Sequence, residues 1–365
     1  MATSKKPDDS QLEQRVNDAQ ILFDEADDVP VEKKTYEEAL GLYLLSPSSA
    51  LPEPERLKVA KENLSRLGFD VTIDKAAANQ HMRFAGTDEE RAKAFSRAAK
   101  SDADIVMATR GGYGLSRLLP HIDWKLLEKN PKKYVGYSDF TAFNLALLAK
   151  TGIPSFTGPN AVGDFGGNQV DDLIADIFVE SMRGELEILS FETKDADNVD
   201  AEGILWGGNL ALVASLVGTP YLPKIKKGIL FLEDVSEHPY RVERLLTQLL
   251  HAGILDKQKA IVLGDFNDYK LVKSDNGYDM PEVIRWLRSE VKVPVITGLP
   301  YGHADMRVTL PIGKKVGVAT QDGMTYLLLD KHEHDDDHEH KHHKEDKHHK
   351  DSNHHKKSAK KKHKK

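Results

Sequence analysis

Apolar positions first alternate regularly at Leu42-Tyr43-Leu44-Leu45, which reads as a strand stopping at Ser46-Pro47-Ser48-Ser49. Helical spacing runs from Pro54 to Leu67 and ends at Gly68, and a second strand covers Phe69 to Ile73. The alternation then repeats. A helix spans Asp88 to Lys100, followed by the strand Ile105 to Thr109 and the turn Arg110-Gly111-Gly112-Tyr113-Gly114 with a helix after it. The strand Lys133 to Tyr137 then runs through Ser138-Asp139 into a helix from Phe140 to Lys150. Strands alternating with helices of this length predict βαβ units around a parallel sheet, with ligands beyond the carboxyl ends of its strands.

Between Phe165 and about Asp200 the pattern is irregular and polar, as in a linker. A second unit opens at Ile204-Leu205-Trp206-Gly207-Gly208-Asn209 with a helix behind it. It continues through the strand Gly228 to Leu232, an amphipathic helix from Pro239 to Leu250, the strand Ala260 to Leu263, a helix near Pro281 to Val291 and the strand Val293 to Ile296. Arg307 to Ile312, Lys315 to Thr320 and Met324 to Leu329 close it, with a hairpin signal at Gln321-Asp322-Gly323. The expectation is an α/β protein without internal repeats. An N-terminal parallel-sheet domain takes residues 35–164, a linker 165–200, and a C-terminal mixed β/α domain 201–330. A charged extension, 1–34, precedes them and a tail, 331–365, follows.

Charge changes the picture mainly at the ends. Of 16 histidines, 11 fall in residues 331–365, together with 12 of the 51 Lys/Arg and 8 of the 58 Asp/Glu; Ala359 is that tail's one hydrophobic residue. The body is left with 39 basic and 50 acidic side chains, a net charge of −11, which argues against nucleic acid as a partner. The tail cannot bury a core, and its imidazole density suits weak binding of Zn²⁺, Ni²⁺ or Cu²⁺. The absence of cysteine removes disulfides, thiolate zinc sites and thiol nucleophiles. Residues 1–30 lack the apolar stretch of a signal peptide, and apolar runs such as Leu210 to Val217 are far too short to span a bilayer. A cytoplasmic protein without membrane association is therefore expected.

The sharpest chemical feature is Gly136-Tyr137-Ser138-Asp139, between an apolar strand and an apolar helix. A serine there is lifted clear of the sheet, and the next N–H can face an oxyanion, as in a nucleophile elbow. The competing reading is that Ser138 or Asp139 simply caps the helix, and Phe140 stands where Gly-x-Ser-x-Gly has its second glycine. Arg110-Gly111-Gly112-Tyr113-Gly114 is either a tight turn or a set of amides shaped for an anion; Arg117 occupies the third glycine position of a dinucleotide fingerprint. A serine needs a base, and the body offers His81, His121, His238, His251 and His303. A carboxylate at a strand end, such as Glu233-Asp234, can orient an imidazole, but these patterns alone do not choose among the candidates.

Taken together, the segments from Leu42 to Leu329 resemble the LD-carboxypeptidase family of serine peptidases. The motifs carrying the resemblance are Ser46-Pro47-Ser48, Phe84-Ala85-Gly86-Thr87-Asp88, Arg110-Gly111-Gly112-Tyr113-Gly114 and Gly136-Tyr137-Ser138-Asp139. In the second half they are Gly207-Gly208-Asn209-Leu210, Leu232-Glu233-Asp234, and Gly302-His303 followed by Leu310-Pro311-Ile312-Gly313. The resemblance implies a triad of Ser138, Glu233 and His303 with the active site between the two domains, and it sets His238 aside as a surface residue. The backbone amides of Asp139 and Gly112 would meet the oxyanion, and no cofactor is required.

The implied substrate is a small muropeptide, cut in peptidoglycan recycling between the L-centre of a diamino acid and a terminal D-alanine. Arg110 and Arg307 are candidates, by charge, for holding the substrate's free carboxylate. A homodimer is expected from the family. Two alternatives remain: a relative of the microcin-C immunity peptidases acting on aminoacyl or peptidyl nucleotides, and a non-enzymatic metal-binding protein working through its tail. The first is expected to offer an aromatic side chain to a base, whereas residues 165–200 offer only Phe165, Phe178 and Phe191.

Overall fold

A computed structural model describes residues 38–193 and 198–329. The N-terminal extension and the histidine-rich tail, with the metal binding expected of the latter, lie outside the described residues.

The first half contributes five strands to a six-stranded sheet: β1 (Leu40–Leu45), β2 (Phe69–Ile73), β3 (Ile105–Ala108), β4 (Lys133–Val135) and β5 (Ser155–Thr157). All five are mutually parallel, in the order β5-β4-β3-β1-β2. Helices α1 (Arg56–Arg66), α2 (Asp88–Lys100), α3 (Trp124–Lys129) and α4 (Thr141–Thr151) connect them. α2 starts where the sequence dictates: the Thr87 hydroxyl accepts from the Glu90 amide while the Glu90 carboxylate accepts from Thr87 N–H.

The second half holds β6 (Ile188–Glu192), β7 (Asp200–Asn209), β8 (Ile229–Val235), β9 (Ala260–Asn267), β10 (Val295–Thr297), β12 (Lys315–Gln321) and β13 (Met324–Leu328). Their order is β10-β9-β8-β7-β12-β13-β6, parallel from β10 to β7 and antiparallel from there on. The mixed α/β fold is thus the one expected, including the hairpin, whose Asp322 (φ 52°) and Gly323 (φ 81°) take the left-handed conformations of a two-residue turn.

Three expectations need correction. No helix follows the Gly114 turn directly; Pro120 interrupts the segment, which forms turns and a short 3₁₀ stretch, Leu119–His121. The stretch read as an irregular linker contains a helix, α6 (Asp172–Arg183), and the edge strand β6. The helix buries Ile174, Ile177, Phe178 and Met182 along one face, and Asp171 caps its N-terminus. Finally, β11 (Leu310–Ile312) does not join the second sheet but pairs antiparallel with β5 of the first. The chain therefore returns to the N-terminal half just after His303.

The core sits where the halves meet. In α4, which follows Ser138, every residue from Thr141 to Leu147 is buried, because the helix touches β5 on one side and β7 on the other. That explains an apolar pattern with no polar face. Gly208 (φ 125°) permits the contact: a Cβ there would fall 2.6 Å from the Thr141 hydroxyl, which accepts the Asn209 amide at 3.1 Å. Among the described residues, no helix is long and apolar enough to cross a membrane.

Candidate active site

Ser138 stands three residues beyond the end of β4 with φ +63°, a left-handed conformation that costs a serine energy and is tolerated only where its surroundings enforce it. Gly136 lets the turn form; a Cβ there would fall 2.9 Å from both the Ala108 methyl and the Phe140 ring. The capping alternative does not hold. The 3₁₀ turn Ser138–Phe140 and the helix α4 both start without a side-chain cap, and the buried Asp139 carboxylate instead accepts the Leu115 amide at 3.0 Å. Burial pushes the Asp139 carboxyl above its ordinary range.

Of the five body histidines, one reaches this serine. His303 Nε2 lies 3.1 Å from Ser138 Oγ, and its Nδ1 lies 2.9 Å from Glu233 Oε2. Glu233 is fully buried near the carboxyl end of β8, opposite Asn209 of β7 and beside a register shift between β8 and β9. His303 follows Gly302 in the loop between β10 and β11, packs against the Tyr137 ring at 5.1 Å, and keeps part of its surface open. The three side chains come from 165 residues of chain yet form one hydrogen-bonded file. His238, by contrast, precedes α8 (Pro239–His251) and lies 3.2 Å from Asp275.

The glycine turn after β3 lies against the serine. A Cβ on Gly111 would fall 3.0 Å from Ser138 Oγ and 3.4 Å from the Asp139 amide nitrogen. The space above Gly111 is therefore bordered by a hydroxyl and an N–H that could face one oxygen atom. Gly112 (φ 107°) is pressed against Ser49, whose hydroxyl accepts the Tyr113 amide at 3.0 Å and fixes the turn.

The two arginines differ. Arg110 is half-buried, with Nη1 donating to the Ala50 carbonyl at 2.9 Å, and its charge reaches the Tyr137 hydroxyl. Arg307 is buried and engaged at all three nitrogens, by the Gly302 and Ala304 carbonyls and the Asp164 carboxylate, so the carboxylate-holding role expected of it does not fit its surroundings. Asp164 and Tyr137 were not anticipated from the sequence. Tyr137 had one signal, its place beside Ser138; Asp164 had none. Burial, and next the charge of Asp164, pushes the Tyr137 phenol up to about 12, so it stays a neutral surface for the imidazole.

Comparison with known proteins shows the family of the chain. Residues 42–158 match the LD-carboxypeptidase N-terminal domain and residues 202–318 the LD-carboxypeptidase C-terminal domain. The chain belongs to the LD-carboxypeptidase family and is a serine-type carboxypeptidase, a hydrolase. It is 33% identical over 282 residues to the "probable murein peptide carboxypeptidase" of Bacillus subtilis, covering 76% of this chain and 88% of that protein. The solved muramoyltetrapeptide carboxypeptidase of Oxalobacter formigenes is 44% identical with a TM-score of 0.74, over 79% of this chain and 97% of that one. The Escherichia coli microcin C7 self-immunity protein MccF is 28% identical over 313 residues, 77% of this chain and 90% of that protein.

Proposed function

We propose that the protein removes the terminal D-alanine from muropeptide tetrapeptides, with Ser138, His303 and Glu233 as its catalytic triad. The unbroken hydrogen-bonded file from Ser138 Oγ through His303 to Glu233 carries this reading. Ser138 Oγ attacks the scissile carbonyl as His303 Nε2 takes its proton, and the same proton then passes to the departing amino group of D-alanine. Water, activated by the imidazole, next cleaves the acyl-serine ester. Glu233 keeps Nδ1 protonated and balances the imidazolium. The amides of Asp139 and Gly112 receive the oxyanion, and Arg110 is the remaining candidate for the substrate's carboxylate.

The similarity to the Oxalobacter enzyme and the fate of the three phenylalanines support a cell-wall peptide over a nucleotide. Phe165, Phe178 and Phe191 are all buried and leave no ring in that stretch for stacking on a base. We further infer two functional domains, residues 35–164 bearing the serine and 201–330 bearing the acid and base, acting in the cytoplasm as a homodimer in peptidoglycan recycling.

The test is incubation with a tetrapeptide ending in D-alanine and, separately, with an aminoacyl sulfamoyl nucleotide. Release of D-alanine that disappears in Ser138→Ala supports the proposal. Turnover of the nucleotide alone would transfer the chain to the MccF-like reading, and wild-type turnover by Ser138→Ala would end the triad assignment.

A further inference from the structure

Arg307 lies four residues beyond His303 and is 9% exposed. Its guanidinium grips the loop on both sides of the histidine: Nε donates to the Gly302 carbonyl at 3.2 Å and Nη2 to the Ala304 carbonyl at 2.9 Å. Nη1 pairs with Asp164, at the end of the short helix Ala161–Asp164 in the N-terminal half. The flat face of the guanidinium stacks on the Tyr137 ring at 4.4 Å, and the same ring packs against His303. Asp164 is itself held, since its Oδ2 accepts the Asn160 amide at 2.7 Å.

Each of these contacts constrains the histidine. Gly302 has φ +153°, outside the range most side chains adopt, so the backbone entering His303 has little stiffness of its own. One planar cation fastens the carbonyls before and after the imidazole to an acid from the half that carries the nucleophile. Guanidinium suits this task because its donors are fixed in one plane while its face remains free to stack; an ammonium group offers neither. The residue immediately before the nucleophile, Tyr137, completes the sandwich.

We propose that Arg307 is a positioning residue, clamped by Asp164 and Tyr137, that sets the reach of His303 Nε2 to Ser138. This rests on the triad reading above. It also replaces the substrate-carboxylate role that charge alone suggested for Arg307. Proton transfer in both directions requires Nε2 to stay within hydrogen-bond reach of Oγ, and slack of about 1 Å in such a group costs roughly 10²-fold in rate.

The test uses the full-length protein and the variants Arg307→Lys and Asp164→Asn. Three quantities are read: kcat and KM for D-alanine release, the rate of Ser138 phosphonylation by a fluorophosphonate, and the melting temperature. For Arg307→Lys, kcat should fall roughly 10- to 100-fold while KM stays within about twofold, and phosphonylation should slow by a similar factor. Asp164→Asn should give a smaller loss with the same split, and it keeps the idea testable if Arg307→Lys does not fold. The double variant should be no slower than Arg307→Lys alone, because the two residues act as a unit.

A lower melting temperature with normal kcat and phosphonylation would reduce Arg307 to a structural role and overturn the proposal. A tenfold rise in KM at unchanged kcat would overturn it in favour of substrate binding. Failure of the triad reading looks different, as Ser138→Ala would then retain turnover whatever the Arg307 variants do.

Discussion

The α-carbon of Gly111 faces the side chain of Ser138: a Cβ built on it would fall 2.8 Å from the serine Cβ and 3.0 Å from its hydroxyl oxygen. No side chain fits between the glycine turn and Ser138, and the space kept clear also borders the Asp139 amide. Gly111→Ala should therefore push the serine off its line to His303 and fill the place an oxyanion needs. The expected result is a loss of roughly 10²- to 10³-fold in kcat, as for the removal of one oxyanion donor, with folding retained. Steady-state kinetics beside a circular dichroism melt would check it; wild-type kcat would mean that the oxyanion lies elsewhere.

Ser138 itself trades stability for geometry. At φ +63° only glycine is unstrained, so Ser138→Gly and Ser138→Ala should differ although both lack the hydroxyl. The glycine variant should be more stable by about 1 kcal/mol, and both should fail to release D-alanine. Urea unfolding of the pair measures the difference directly. Equal stability would show that the turn relaxes freely and stores no strain.

What could be read from the sequence follows from what is local. Strands β1, β2 and β3 and helices α2 and α8 announce themselves by periodicity and caps, and Ser138 by a strand-turn-helix context of four residues. β5 is only Ser155-Phe156-Thr157, too short for any period, and its place beside β4 is set by the sheet rather than by its own residues. The stretch 165–200 reads as irregular because α6 and β6 take up only about half of it and the polar turns around them dilute the pattern. The selection of His303 among five histidines, and of Glu233 as its partner, came from the family resemblance; no spacing rule links residues 70 apart. The Arg307–Asp164 pair spans 143 residues and depends on β11 crossing back to the first sheet, which no local pattern encodes.

Glu233 is buried with one oxygen 2.9 Å from His303 Nδ1. Glu233→Gln keeps the shape but can donate to Nδ1, which stabilises the tautomer with the proton on Nε2, and that tautomer cannot accept the serine proton. The expected loss in kcat is roughly 10²- to 10⁴-fold, with KM nearly unchanged and the melting temperature close to wild type. A loss of less than tenfold would mean that the imidazole is oriented by its packing on Tyr137 instead.

The tail, outside the described residues, enters none of these arguments. Deleting residues 331–365 should leave kcat and KM for D-alanine release unchanged while removing any Ni²⁺ or Zn²⁺ bound by the full chain. Isothermal titration and a turnover assay on the two forms separate the questions. Equal metal binding by the two forms would rule out the tail as the metal site, and a fall in turnover would tie it to catalysis.

Asp234 gives the clearest dependence on pH. It is 3% exposed, and burial, followed by the charge of the adjacent Glu233, pushes its carboxyl from 3.8 to about 6. The shift persists although the Val235 amide (2.8 Å), the Ala211 amide (2.9 Å) and Asn209 Nδ2 (3.0 Å) all donate to the carboxylate and oppose it. A raised value in the folded state means that folding favours the protonated form. The group's stabilising contribution is therefore complete below about pH 4 and is lost as pH rises through about 6. Asp234→Asn carries no such proton. The unfolding free energy of the wild type relative to this variant should decline by about 3 kcal/mol in all, about 2 kcal/mol of it between pH 4 and 6, and level off near pH 7. Urea unfolding of both proteins at intervals from about pH 3 to 7 measures it, and groups not coupled to Asp234 cancel in the difference. A difference that stays constant with pH would mean that the three donors outweigh burial and keep Asp234 ionised throughout.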